Sequence, residues 1–240
     1  MFWLLVASTV LSGLFAAVVA QQYLSRRRPH QLAWAIALSF FGLGTLAAAL
    51  GIMYGWSPML YRTYYLFGAV INVPVLAAGS IYLLAGRRFG HAFAVVLGVA
   101  CIYAAGAVFS GVLDESGLAV GGIPHAKDVL PSSVRLLSRY YSTSGFAIVV
   151  SAALWSAWRL SKSEGSHLRS IARANILIAL GTSIVAGASR LARLGDGEAF
   201  AIGLTIGIAV MFAGFLAGKP PRPPVDPGLV AEPPSTPSTG

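Results

Sequence analysis

The third apolar run of the chain begins with polar side chains at helical spacing. Tyr61, Tyr65, Gly68, Asn72 and Gly79 are separated by three, four or seven residues, and in a helix such residues lie on one face. This face predicts a polar stripe that descends from a membrane surface to the middle of the bilayer. Phenol and carboxamide groups can hydrogen-bond a small ligand, so the stripe is a candidate binding surface.

Two neighbours of the stripe add charge and backbone polarity. Arg62 supplies a permanent cation, and Pro74 lacks an N–H and displaces the carbonyl of Val70 from its helical partner. A freed acceptor beside the Asn72 amide suits a small ligand cavity or a hinge. The alternative is structural: Tyr61 and Arg62 belong to the interfacial belt, and Asn72 bonds a neighbouring helix.

The fifth and sixth apolar runs carry further polar lines. The two faces of the sixth run hold Asn175, Thr182, Ala186, Ser189 and Arg193, and Ser183, Gly187 and Arg190. The line in the fifth run holds Ser144, Ser151 and Trp155. Such faces are also typical of close helix packing. The ligand-binding candidates of all three runs are Tyr61, Arg62, Tyr65, Asn72, Pro74, Ser144, Ser151, Trp155, Thr182, Ser189, Arg190 and Arg193.

One rim of the membrane is predicted to hold four arginines. They come from three different helices and are Arg62, Arg139, Arg190 and Arg193. The acids predicted at the same rim are Asp114, Asp196 and Glu198. Converging arginines would form an electropositive mouth for an anionic solute or lipid headgroup. Arginines that each pair with an acid would only anchor helix ends, and this pairing is what we expect.

The sequence lacks the residues that several classes of chemistry require. The centres of the apolar runs hold no Asp, Glu, Lys, Arg or His, which disfavours a proton pump, and the last run has no Lys for a retinal Schiff base. No run places a His beside a Ser nucleophile, and no metal-binding motif is present. Cys101 is the only cysteine, so no disulfide forms within the chain. We predict no catalytic site, no metal and no cofactor.

The composition predicts that membrane helices position these residues. Of 240 residues, 56% are hydrophobic and 10% are charged, against about 25% charged in an ordinary soluble domain. Apolar runs of about 20 residues match a hydrocarbon core of about 30 Å, since a helix rises about 1.5 Å per residue. They predict an all-α, polytopic bundle of seven transmembrane helices at 2–21, 32–54, 63–85, 92–113, 140–158, 171–191 and 199–217.

Basic residues set the predicted orientation. With the N-terminus outside, 11 Lys and Arg lie in cytoplasmic segments and 6 in outer segments, as the positive-inside rule requires. Arg26–Arg28 follows the first run, whereas a cleaved signal peptide has its basic residues in front. The C-terminus is predicted in the cytoplasm, where anionic lipid headgroups would contact the arginines. The net charge of +9 does not indicate nucleic acid, because no water-exposed basic domain is predicted.

Two less apolar segments complete the chain. The outer loop from Asp114 to Arg139 is long enough to fold over the mouth of the bundle or to stay mobile. Residues 219–240 are rich in proline, which predicts a disordered cytoplasmic tail after a membrane domain of residues 1–218. Pro221–Pro224 is either a docking ligand or part of a flexible terminus.

A short sequence echo suggests internal symmetry. Gly-Leu-Gly-Thr at 42–45 and Ala-Leu-Gly-Thr at 179–182 lie in the second and sixth runs. This echo fits a three-plus-one-plus-three arrangement, with helices 1 to 3 and 5 to 7 as parallel repeats, as in some transporters. Runs of small residues also resemble each other by chance.

These observations support two hypotheses of function. The first is a non-enzymatic small permease, or a binder of a small anionic or amphipathic ligand that enters from the extracytoplasmic side between helices 3, 5 and 6. The second is a membrane-embedded subunit, sensor module or assembly partner, as a homo-oligomer or with another membrane protein. The excess of Arg over Lys, 14 to 3, is typical of GC-rich genomes and favours a bacterial inner (plasma) membrane.

Overall fold

The structure, a computed structural model, describes residues 1–119, 121–162 and 166–217, and only the backbone of residues 166–171, 193 and 194. The described residues form helices and no strand, which confirms the all-α prediction. The proline-rich segment 219–240 lies outside the described residues, so its predicted disorder stays a prediction.

Seven long helical segments follow one another along the chain. Their bounds are Phe2–Arg26 (α1), Pro29–Tyr54 (α2), the composite span 3, Gly86–Ser110 (α5), Ser132–Ser161 (α7), Ser166–Leu194 (α8) and Gly197–Ala217 (α9). Span 3 consists of α3 (Pro58–Tyr64), a π-helical segment (Tyr65–Ile71) and α4 (Asn72–Leu84). The loop between α5 and α7 contains a 3-10 turn, Glu115–Leu118, and the short helix α6, Ala126–Val129.

Six of these segments are long and apolar enough to cross a membrane: α1, α2, span 3, α5, the 172–192 part of α8, and α9. The chain is therefore a multi-pass helical membrane protein. At 30 residues α7 is the longest helix, but its serines, tyrosines and arginines lower its mean hydropathy, and it is not among the six. The predicted count of seven spans and their orientation stay predictions.

Six helical segments form a ring. Neighbours around it are α1 and α2, α2 and span 3, span 3 and α7, α7 and α8, α8 and α9, and α9 and α1. The remaining helix, α5, packs mainly on span 3 outside the ring, and only 11% of its apolar part is buried. This order is compatible with two three-helix repeats joined by one outer helix, and the repeat stays a prediction.

Glycines allow the closest helix contacts in the ring. A Cβ on Gly44 would lie 2.7 Å from the Cα of Gly68, and a Cβ on Gly181 would lie 2.6 Å from the carbonyl oxygen of Gly207. Only glycine fits at such separations, so α2 approaches span 3 and α8 approaches α9 without intervening side chains. Gly44 and Gly181 hold the same position in the sequence echo, and each packs on the next helix of its half.

The helix ends define two ends of the bundle. The loop end comprises Met1 and residues 55–57, 111–119, 121–131 and 195–197, and the opposite end comprises residues 27–28, 85 and 162. Trp56 Nε1 donates to the Gly122 carbonyl at 2.7 Å, and the Met1 amine lies 4.0 Å from Glu198 Oε1. These contacts hold the segments of the loop end together.

Candidate functional site

A cavity of about 1040 Å³ lies inside the ring at the loop end. Its walls come from α2, span 3, α7, α8 and α9, and residues 122–127 of the long loop cover part of it. The volume is at the upper end of small-ligand sites, which measure about 300–1,000 Å³. The predicted candidates that line it are Tyr61, Tyr65, Asn72, Thr182, Ser189 and Arg190.

Span 3 presents most of the predicted polar stripe to the cavity. Tyr61 is fully buried, Tyr65 and Asn72 are each 6% exposed, and all three line the cavity together with Gly68. Gly79, two turns further along, instead packs against a tryptophan ring of α2. The stripe therefore ends at Asn72, which marks the deep end of the cavity on this wall.

Of the two polar atoms of the Asn72 carboxamide, the oxygen has a protein partner. Its Oδ1 accepts a hydrogen bond from the Val73 N–H at 2.7 Å. Within the described ranges, no residue accepts a hydrogen bond from its Nδ2. Because Asn72 lines the cavity, this nitrogen is a donor that a ligand can use.

The segment of span 3 before Pro74 is π-helical. In a π-helix a carbonyl pairs with the N–H five residues later, and that position for Ala69 is Pro74, which has no N–H. Two hydroxyls of α7 donate instead: Ser138 Oγ at 3.0 Å and Ser142 Oγ at 2.6 Å from the Ala69 oxygen. The sequence predicts that Pro74 frees the carbonyl of Val70. The carbonyl that accepts the serine hydrogen bonds is instead that of Ala69, one residue earlier, because this segment is a π-helix and not an α-helix.

Two opposite walls of the cavity carry threonine hydroxyls. Thr45 on α2 and Thr182 on α8 are 4% and 5% exposed, and both line the cavity. They are the last residues of the two echo sequences, and their helices lie three places apart in the ring. Thr182 Oγ1 donates to its own helix at Ile178 O, 2.7 Å away. The two halves of the echo therefore face each other across the cavity.

Permanent cations surround the mouth of the cavity: Lys127, Arg135, Arg139 and Arg190. The ion pairs expected at this rim are not found, since no described acid pairs with Arg139 or Arg190, and Glu198 lies beside the N-terminal amine. Arg135 Nε is buried with no hydrogen-bond partner in the described part of the chain, a state that costs about 1–3 kcal/mol. Glu198 is the acidic residue among those that line the cavity, so the mouth carries more positive than negative charge.

Arg62 and Arg193, the other two arginines of the predicted rim, do not contribute to the described mouth. The side chain of Arg193 lies outside the described residues. The Arg62 guanidinium donates to the carbonyl oxygens of Phe109 and Gly111, the latter at 2.9 Å. These carbonyls are at the C-terminal end of α5, where helix carbonyls lack partners and a cation is favoured. Arg62 is therefore placed to cap α5 and not to contact a ligand.

Replacing Arg62 with Ala should destabilise the protein and leave ligand affinity nearly unchanged. Loss of the charged donor to two carbonyls should lower the free energy of unfolding by about 2 kcal/mol. Thermal unfolding in detergent measures the change, with Arg87→Ala, an exposed arginine at the opposite end, as the matched control. An unchanged melting temperature would mean that Arg62 does not stabilise the end of α5.

The line predicted in the fifth run faces away from the cavity. Ser144, Ser151 and Trp155 are all exposed, and none of them lines the cavity. Ser144 Oγ donates to the carbonyl of Tyr140 at 2.7 Å, and the Trp155 ring contacts the Trp158 ring with centroids 5.4 Å apart. The spacing predicted a shared face correctly, but this face of α7 lies on the outside of the ring.

The face of α7 that does reach the cavity was not predicted. It holds Arg135, Ser138, Arg139 and Ser142. Their spacing of three, one and three residues is a helical pattern, but the predicted helix began at residue 140 and so excluded most of them. Extending the helix to Ser132 would have revealed this face.

The long loop folds over the mouth of the bundle, one of the two arrangements left open by its length. Tyr61 Oη donates to the Pro124 carbonyl at 3.4 Å, beside the tryptophan contact at Gly122. Asp114 begins the 3-10 turn, and hydrogen bonds from the Ser116 hydroxyl and backbone N–H hold the pKa of its carboxyl below the ordinary value. The loop therefore carries its own local structure above the cavity.

A much smaller void lies toward the opposite end of the ring. Its volume is about 50 Å³, and it is lined mainly by apolar groups that include Phe15, Trp34, Leu76 and Met211. Asn175 also lies here, and its Nδ2 donates to Ser156 Oγ at 2.8 Å. The cavity therefore opens toward the loop end and is closed toward the other.

Among the described residues, no group of three or more His, Cys, Asp or Glu is placed to hold a metal ion. Comparisons with protein-family models, curated proteins and solved structures find no match to the chain.

Proposed function

We propose that this protein binds a small anionic amphipathic ligand in the loop-end cavity, as a small permease or a ligand-binding membrane protein that catalyses no reaction. The observation that carries this proposal is the group of cations at the mouth, of which Arg139 and Arg190 are the clearest because neither pairs with an acid among the described residues. An anion at this position would supply the missing negative charge.

The interior of the cavity supports the amphipathic part of the proposal. Below the cations the walls are mostly aromatic and aliphatic, with Phe41, Tyr65, Phe146, Phe200 and Leu204 among the lining residues. Apolar walls with a few polar groups are typical of sites that bind organic molecules. A ligand with a negative head and an apolar body would match both regions.

We also propose that the chain crosses a bacterial inner membrane seven times, with α7 as the seventh span and the loop end outside. The position of α7 in the ring, between span 3 and α8, supports a crossing helix. In the sequence, 11 Lys and Arg fall in the segments that this orientation places in the cytoplasm and 6 in the outer segments, which favours the proposed orientation and contact with anionic lipids.

Replacing Asn72 with Leu should weaken about tenfold the binding of an amphiphile that carries a hydrogen-bond acceptor at the end away from its anionic head, such as the sulfonyl oxygens of a terminal dansyl label. This factor corresponds to about 1.4 kcal/mol for one lost hydrogen bond at the deep end of the cavity. The measurement is a titration of the protein, in nanodiscs of phosphatidylcholine, with a dansyl-labelled fatty acid. Asn175→Leu is the matched control, because that carboxamide lies in the ring but outside the cavity. Absence of saturable binding to the unmodified protein would contradict the proposed function.

A second proposal is that the protein is a subunit or assembly partner, and the placement of α5 supports it. This helix is the least buried of the six apolar spans, and a Cβ on Gly98 or Gly106 would have no neighbour within 4 Å. A partner helix can pack closely on such positions. Chemical crosslinking in native membranes, followed by purification, should then recover a stoichiometric partner that the double substitution Gly98→Leu/Gly106→Leu removes.

A further inference from the structure

The cavity wall on α8 is continuous with the outer surface of the bundle. Exposed residues recur along α8 at intervals of three or four as one stripe: Arg173, Ile176, Leu180, Ser183, Gly187 and Arg190. In the half toward the opposite end, Ile176 and Leu180 are bare apolar side chains, 50% and 51% exposed. In the other half, Ser183, Gly187 and Arg190 line the cavity. A single stripe faces a single direction, so the cavity opens toward the side that lipid covers.

The facing helix α7 has the same arrangement. Arg139 and Thr143 line the cavity and are exposed, and they adjoin Tyr140 and Ala147 on the bare face of α7. On the other helical walls the lining residues are buried, as Thr45 is, or half-buried, as Gly68 is, and Glu198 at the rim of α9 is the exception. Exposed lining residues are therefore concentrated on α7 and α8, and the space between the loop-end halves of these two helices is called the gap below.

Among the described residues, polar side-chain contacts between α7 and α8 lie far from the gap. The hydrogen bond between their described side chains is the one from Asn175 to Ser156, near the opposite end. Nearer the mouth, Ser183 and Ser189 donate to carbonyls of their own helix, at 2.8 Å and 2.9 Å. A Cβ on Gly187 would have no neighbour within 4 Å. The described side chains therefore connect the two helices toward the opposite end and leave space beside Gly187.

From these observations, which rest on the proposed function, we infer that the ligand is a membrane-dissolved amphiphile with one apolar chain and an anionic head, and that it enters sideways between α7 and α8. Arg139 and Arg190 flank the gap where a headgroup would pass. Arg190 lies seven positions after Ser183, so the gap extends about 10 Å along α8. An apolar chain can pass from bilayer to cavity through such a gap without crossing water.

The substitution Gly187→Trp tests this route, because a Cβ at that position has no neighbour within 4 Å and the large ring beyond it would occupy the gap. In phosphatidylcholine proteoliposomes that contain spin-labelled stearate, the variant should bind this bilayer-dissolved probe about tenfold more slowly than the unmodified protein. Octanoate is soluble and can enter through the mouth, so its rate of binding should fall by a clearly smaller factor than that of stearate. Gly13→Trp on α1 is the matched control, since a Cβ there also has no neighbour within 4 Å.

The outcomes separate this inference from the proposed function. Unchanged stearate binding by a folded Gly187→Trp protein, or binding of octanoate but not stearate by the unmodified protein, would overturn lateral entry and leave the anion site intact. Failure of the unmodified protein to bind either anion would overturn the proposed function itself. If Gly187→Trp does not fold, Ser183→Trp, one turn deeper on the same stripe, tests the same gap.

Discussion

Replacing Arg139 and Arg190 together with Gln should reduce the affinity for an anionic amphiphile about a hundredfold. Each guanidinium lines the mouth of the cavity and has no acidic partner among the described residues, so its charge is available to a bound anion. A hydrogen bond to a charged group contributes about 1.5–3 kcal/mol. The loss of two such bonds therefore corresponds to two or more powers of ten in the dissociation constant, since each takes about 1.4 kcal/mol.

The measurement is a titration with the same dansyl-labelled fatty acid in nanodiscs of neutral lipid. Arg87→Gln/Arg88→Gln is the matched control, because it removes two exposed arginines from the opposite end and leaves the mouth unchanged. Binding to the unmodified protein should also weaken as salt is added, since the mouth is accessible to ions. An affinity of the Arg139/Arg190 variant within a factor of about three of the unmodified protein would exclude the mouth as the anion site.

Replacing Gly145 with Val should prevent stable assembly of the bundle. A Cβ at this position on α7 would lie 2.8 Å from the Pro74 nitrogen and 2.9 Å from the Val73 carbonyl carbon. Both are backbone atoms of span 3 and cannot rotate away, so the helices must separate. Overpacking of this kind costs about 1–3 kcal/mol or more, and separation would also break the serine bonds to the Ala69 carbonyl, each about 1 kcal/mol.

Size-exclusion chromatography and thermal unfolding in detergent would show this loss as aggregation or a much lower melting temperature. Gly98→Val is the matched control: it makes the same change in a membrane helix, at a position with no neighbour within 4 Å. Equal stability of the two variants would mean that α7 does not pack on Pro74 as closely as the Gly145 contact requires.

Most of the fold was predictable because long uncharged runs leave the backbone no alternative to a helix in a bilayer. The helices nevertheless extend past the predicted spans. The α7 helix begins at Ser132 rather than at residue 140, since hydropathy detects only the part of a helix that lies in hydrocarbon. The eight residues before Tyr140 are too polar to give that signal, yet they place Arg135 and Arg139 at the cavity mouth.

The candidate site was predictable where it depended on local spacing. Tyr61, Tyr65 and Asn72 share a face through positions in one helix, and they share the cavity. Adjacent residues point in different directions on a helix, so Arg62 lies against α5 while Tyr61 faces the cavity. Spacing alone does not say which way a face points. The sequence therefore could not show that the face with Trp155 lies on the outer surface of the ring.

The narrow void toward the opposite end has a consequence for permeability. At about 50 Å³ with mainly apolar walls, it has room for a few water molecules and offers them few polar partners. A hydrated ion that entered from the cavity would have to displace side chains of the described helices to pass through it. A permease built this way would hold the electrochemical gradient while its binding chamber is open to one side, and it would move cargo only by a concerted rearrangement of its helices.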